Sequence, residues 1–206
     1  DQEPTVHWHG VRLDHRFDGV PHTSQAPVAP GATFEYRVRF PDAGLYWYHP
    51  HVREDIQQDL GLAGNIMVRG GAQLSAVHRE EVLLLDDILI GENGLIPYGA
   101  EHPTHALMGR FGNVFLVNGE PSWRATARPG EVMRLWLTNA ANTRTFNLSI
   151  TNAKLKVVAS DLGPFTNEAW VESVVIAPAE RYAIDVQFTG PGNAALVNRV
   201  RALDHL

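Results

Sequence analysis

Ten histidines punctuate the 206-residue chain, and four of them stand in two His-x-His pairs, His7-Trp8-His9 and His49-Pro50-His51. On a β-strand, residues i and i+2 face the same side, roughly 6–7 Å apart. Two imidazoles so placed can grip one metal ion or address two adjacent ones. Cysteine is absent, which excludes disulfides, thiolate catalysis and thiolate-ligated metal within the chain. Every metal ligand must then be His, carboxylate or carbonyl, and for imidazoles the candidates are copper and zinc, with the Irving–Williams order favouring copper. One His-x-His pair is often only two packed or solvated side chains. Two pairs on neighbouring strands carry more weight, and Trp8, Tyr46, Trp47 and Tyr48 stand beside them. Such rings either pack a plain core or supply the apolar wall that controls access to a metal.

The elements that must hold these histidines read as strands. In Phe34-Glu35-Tyr36-Arg37-Val38-Arg39-Phe40 apolar and charged residues alternate with the period of two of a half-buried antiparallel strand. The design returns at residues 133–138 and 181–188, each time behind a Pro turn: Ala29-Pro30-Gly31, Arg128-Pro129-Gly130 and Ala177-Pro178-Ala179. Short strands between Gly and Pro turns predict an all-β fold of Greek-key sandwiches. The echo between residues 29–40 and 128–138 predicts two successive domains, residues 1–70 and 71–206, jointed at Arg69-Gly70-Gly71-Ala72-Gln73. About seventy residues fall short of a seven-stranded sandwich, so the first domain is expected to be incomplete at its N-terminus. One helical turn is predicted from Val52 to Leu60, where Val52, Ile56 and Leu60 recur at a spacing of four.

Composition sets the outer limits. Apolar residues make up 44% and charged residues 19%, enough for a sizeable core, while Gly 18 and Pro 13 oppose long helices. A formal charge of -6 excludes the electrostatic footprint of a nucleic-acid binder. The apolar run Val82-Leu83-Leu84-Leu85 is stopped by Asp86-Asp87, and no run is long enough to span a bilayer. The chain opens on Asp1 without a cationic and apolar leader, which reads as a removed signal peptide or an excerpt.

A series of motifs then carries a resemblance. His7-Trp8-His9-Gly10, Asp18-Gly19-Val20-Pro21, Gln25-Ala26-Pro27-Val28-Ala29-Pro30-Gly31, Asp42-Ala43-Gly44 and Trp47-Tyr48-His49-Pro50-His51 follow one another in the order of the first cupredoxin domain of the multicopper oxidases, the laccase family, which residues 5–68 resemble from its middle onward. Residues 79–190 resemble the ligand-free second domain of three-domain members, through Val117-Asn118-Gly119, Arg128-Pro129-Gly130-Glu131, Asn147-Leu148-Ser149-Ile150 and Ala177-Pro178-Ala179-Glu180-Arg181-Tyr182. The resemblance implies two cupredoxin-like sandwiches and an oxidoreductase that takes single electrons from a phenol-like or metal-ion substrate and reduces dioxygen to water. It implies that His7 binds the type 2 copper, and that His9, His49 and His51 bind the type 3 pair of a trinuclear centre. It also implies that Asp18 relays protons beside the cluster, although an Asp-Gly pair alone marks a turn. The family's third domain, with the other imidazoles and the His-Cys-His stretch of the type 1 copper, has no counterpart here, so that domain is an implied partner. A secreted, periplasmic or cell-surface setting follows from the same resemblance.

The remaining motifs predict little chemistry. His102-Pro103-Thr104-His105 reads as a solvated Pro-bearing loop with a weak claim to an accessory metal. His15, His22, His78 and His205 lack partners at ligand spacing, and Arg79-Glu80-Glu81 and Asp86-Asp87 read as solvated strand ends. Two other functions fit parts of the pattern: a non-catalytic copper-binding or assembly member of the family, and a mononuclear zinc hydrolase or lyase with three His on adjacent strands. A metal count separates the zinc reading from the oxidase.

Overall fold

The computed structural model describes residues 2–70, 74–98, 102–161 and 163–200. It divides into two compact units, Asp1–Gln73 and Leu74–Leu206. In the first, β1 (Val6–His9), β2 (Gly44–Pro50) and β3 (Gly64–Val68) form an antiparallel sheet in the order β1-β2-β3. A single 3-10 turn, His15–Phe17, follows β1, and a one-turn helix α1 (Glu54–Gln57) follows β2.

Two expectations fail in this unit. Residues 34–40 join no sheet, yet their alternation persists: Phe34, Tyr36, Val38 and Phe40 are half-buried while Glu35, Arg37 and Arg39 are exposed. A strand needs a neighbour for its amides and carbonyls, and among the described residues this segment has none. Tyr36 ties it to β1: its hydroxyl accepts from the Val6 N–H at 2.9 Å and its ring meets Trp8 edge-on. The helical turn is present, but its apolar stripe is reversed, with Leu60 exposed and Gln57, Gln58 and Asp59 buried. Arg53, in the left-handed region at φ 46°, reverses the chain before α1, so a phase counted from Val52 does not carry through.

The second unit contains β4 (Arg79–Ile88), β5 (Ile90–Gly91), β6 (Gly94–Leu95), α2 (His102–Met108), β7 (Val114–Val117), β8 (Val132–Asn139), β9 (Phe146–Ile150) and β10 (Ala153–Ser160). It ends with β11 (Gly163–Val171), β12 (Val174–Ile176), β13 (Arg181–Phe188) and β14 (Leu196–Asn198). A six-stranded sheet, β11-β10-β13-β8-β4-β7, faces a three-stranded sheet, β12-β9-β14. Leu83, Leu85, Leu135, Leu137, Leu155, Ile184 and Val186 from the larger sheet meet Phe146, Leu148, Val174 and Ile176 from the smaller in one core. These are the inward positions that the period of two assigns.

Three sequence readings change in this unit. The expected loop at His102-Pro103-Thr104-His105 is the start of α2, since Pro is compatible with a first helical turn, where its missing N–H costs no bond. Asp86 and Asp87 lie inside β4, 8% and 3% exposed, rather than at a solvated end. Asp87 accepts from Arg144 Nε at 2.6 Å and from the Gly112 N–H, while the guanidinium lies over Phe111 and Phe115. Across β4-β8-β13-β10 the residues Glu80, Arg134, Asp185 and Lys156 stand in register with alternating charge, so Glu80 too belongs to a cross-sheet ladder. Arg134 binds both Asp185 oxygens, at 2.7 and 3.0 Å.

Candidate metal centre

The β1–β2 register sets His7 opposite His49 and His9 opposite Trp47. Opposed residues in an antiparallel pair share a face, and so do residues two apart. His7, His9, Trp47, His49 and, two residues on, His51 therefore project from one side of the sheet. His7, His9 and His49 each bring one ring nitrogen into a group whose atoms all lie within 4.8 Å of one another. His51 stands beside it, its ring centroid 5.4 Å from that of His7 and 6.0 Å from that of His49, nearly parallel to the latter.

Hydrogen bonds at the back of the rings decide which nitrogens face inward. The Pro50 carbonyl lies 2.8 Å from His49 Nδ1, and the Asp18 carbonyl 2.8 Å from His7 Nδ1. A carbonyl only accepts, so both Nδ1 atoms carry the proton, and in its neutral form each ring leaves Nε2 bare. His9 presents the other edge: its Nδ1 is 3.3 Å from His49 Nε2. With His49 protonated on Nδ1, the His9 Nδ1–H donates across this gap to His49 Nε2; to hold a metal through the same nitrogen, His9 would carry its proton on Nε2 instead. Burial pushes the His49 pKa down to about 4, against a raising contribution from the Pro50 carbonyl, and the neighbouring His7 and His51 lower it further. His49 is thus neutral at physiological pH, the form that binds metal.

The surroundings exclude water and orient rings. Trp47, 1% exposed, stacks on His49 at 4.4 Å and lies 5.0 Å from His9. Trp8 packs against Tyr36 and Tyr48. His51 Nδ1 stands 3.8 Å from Glu54 Oε2. The Asp18 carboxylate is 3.3 Å from His7 Nδ1, farther than its own backbone oxygen. Ring nitrogens of His7, His9 and His49 within ion-binding reach of one another, with the His7 and His49 rings tied from behind by backbone carbonyls, make a donor set suited to copper or zinc.

The other described histidines have settings of their own. His78 Nδ1 accepts from the Val132 N–H, His15 and His22 are exposed, and His105 lies edge-on to Tyr98. His205 falls outside the described residues. Two features of the site were invisible in the sequence, both products of chain geometry rather than residue type: the backbone carbonyls that select the tautomers, and the close approach of Gly19 to the Val6 carbonyl and the His7 nitrogen.

Fold and site together define a class: a β-sandwich protein with a sheet-borne imidazole centre for a transition metal. Two family models described as multicopper oxidase match residues 1–73 and 85–205, and the chain belongs to the multicopper oxidase family. It is 31% identical to multicopper oxidase MmcO of Mycobacterium tuberculosis, over 92% of this chain and 42% of that protein. It is 26% identical to copper resistance protein A of Escherichia coli, over 92% of this chain and 38% of that protein. The crystal structure of a multi-copper oxidase from Pseudomonas thermotolerans matches with a TM-score of 0.87 at 33% identity, covering 96% of this chain and 48% of the other. The chain therefore spans less than half the length of these relatives. The architecture is the cupredoxin one of its structural neighbours, and copper is the metal that the family implies.

Proposed function

We propose that this chain supplies four imidazoles to the trinuclear copper centre of an oxidase that couples one-electron oxidation of a phenol-like or metal-ion substrate to reduction of dioxygen to water. The observation that carries the reading is the convergence of ring nitrogens from His7, His9 and His49, with His51 beside them. In this reading His7 holds the type 2 copper, and His9, His49 and His51 hold the type 3 pair. Bound copper supplies the one-electron redox chemistry and the open positions at which dioxygen is reduced. The protein's own part is positional. The Asp18 and Pro50 carbonyls hold two rings in one tautomer, and Trp47 walls two imidazoles from water. The part-exposed Asp18 carboxylate, 3.3 Å from His7 Nδ1, carries protons between solvent and the site.

The remaining imidazoles and the type 1 copper belong to a third cupredoxin domain of the parent enzyme, with residues 1–70 and 71–206 as its first and second domains. The enzyme works outside the cytoplasm, secreted or periplasmic, as the family resemblance suggests. Among the described residues no helix is long and apolar enough to cross a membrane. Metal analysis of the full-length protein with electron paramagnetic resonance tests the reading. It predicts several coppers per polypeptide, two of them magnetically coupled; one zinc and no copper would overturn it.

A further inference from the structure

The tie between His7 and Asp18 depends on a device that the copper reading does not itself require. After β1 the chain makes the 3-10 turn His15–Phe17, entered from Asp14, whose side-chain oxygen accepts from the Arg16 N–H at 3.1 Å. The Phe17 N–H donates to the Asp14 carbonyl and the Asp18 N–H to the His15 carbonyl, so Asp18 is the closing residue of a capped turn. Gly19 then presses the chain onto β1. Its φ is +76°, and a Cβ there would stand 1.9 Å from the Val6 carbonyl oxygen and 2.9 Å from His7 N, which only glycine permits. The Asp18 carbonyl is thereby set against His7 Nδ1 by backbone packing on one side and by a side-chain cap on the other.

We propose that Asp14 and Gly19 are positioning residues that lock His7 in the Nδ1–H tautomer and aim its Nε2 into the metal centre. This rests on the reading of His7 as a copper ligand. The cap acts through the turn, the imidazole beside it being that of His15 at 3.9 Å rather than that of His7, so its removal should loosen the His7 ring without deleting a ligand. Groups that orient a ligand from behind are commonly worth 10- to 100-fold in metal affinity, and roughly tenfold is expected for Asp14→Ala.

The test uses the full chain labelled with 15N at histidine and stripped of metal, with the His7 signals assigned by their loss in His7→Ala. At alkaline pH the wild type should show His7 with its proton on Nδ1. Asp14→Ala and Gly19→Ala should shift it toward a mixture of tautomers and weaken copper(II) binding at that site. Asp14→Asn, whose amide oxygen can still accept from the Arg16 N–H although the ion pair to Arg16 is gone, should restore both. A wild-type His7 protonated on Nε2, or an Asp14→Ala variant with unchanged tautomer and affinity, overturns the proposal. If copper binding is instead unchanged in His7→Ala, the ligand assignment itself fails, a separable outcome.

Discussion

Buried neutral at the heart of the candidate centre, His49 should make the metal-free protein sensitive to acid in a defined window. Its folded pKa of about 4 lies well below 6.5, the usual value for an unfolded chain. Above pH 6.5 both states carry a neutral ring and the contribution is fully present. Between about 6.5 and 4 the unfolded chain takes up a proton that the folded one refuses, so stability falls as the pH falls, and it levels off below the folded pKa. A gap of about 2.5 at about 1.36 kcal/mol per pH unit comes to about 3 kcal/mol. That is a large share of the roughly 5–15 kcal/mol that holds a domain folded. The measurement is urea unfolding of the metal-stripped full chain across that range, set beside His49→Gln, which cannot titrate. The difference between the two should shrink by about 3 kcal/mol on acidification. Parallel curves for wild type and variant would refute the burial argument, and a difference that grew toward acid would reverse its sign.

Removing Asp87 strands the Arg144 guanidinium, 2% exposed, and orphans the Gly112 N–H. Asp87→Ala should therefore cost about 3–5 kcal/mol, read as a drop in the denaturation midpoint of the second unit. Asp18→Asn keeps the backbone carbonyl that holds His7, so copper content and anaerobic reduction by substrate should be spared while the oxygen-reducing half-reaction slows. Equal turnover of variant and wild type across the active pH range would leave Asp18 only its turn. Residues 1–206 expressed alone, with four candidate imidazoles and no cysteine, should bind copper weakly and consume no oxygen with a phenolic substrate; robust uptake by the pure chain would contradict the need for a third domain.

What the sequence disclosed depended on the range of the interaction involved. The spacing of His7 and His9 sets them on one face of any strand, and Met133, Leu135 and Leu137 mark an inward face, so site pattern and core were legible from local periodicity. Pairing is not local. Nothing in residues 34–40 discloses that their alternation would find no neighbouring strand among the described residues. Burial of charge was hidden for the same reason: Asp87 looks solvated until Arg144, far along the chain, closes over it. Left-handed Arg53 shifted the face of α1, because helical phase counted across a reversal has no meaning. The choice of ring nitrogen at His7 and His49 lay in backbone oxygens that no residue type reveals.

The most direct test of the central claim is copper quantitation with oxygen uptake in the full-length protein carrying His49→Ala and His51→Ala together. Removing both imidazoles deletes half of the ligands this chain is held to provide. Their loss should lower the copper bound per polypeptide and abolish reduction of dioxygen, while the second unit, whose core includes neither residue, stays folded. Unchanged copper content with unchanged oxygen consumption would contradict the assignment of these histidines to the metal centre.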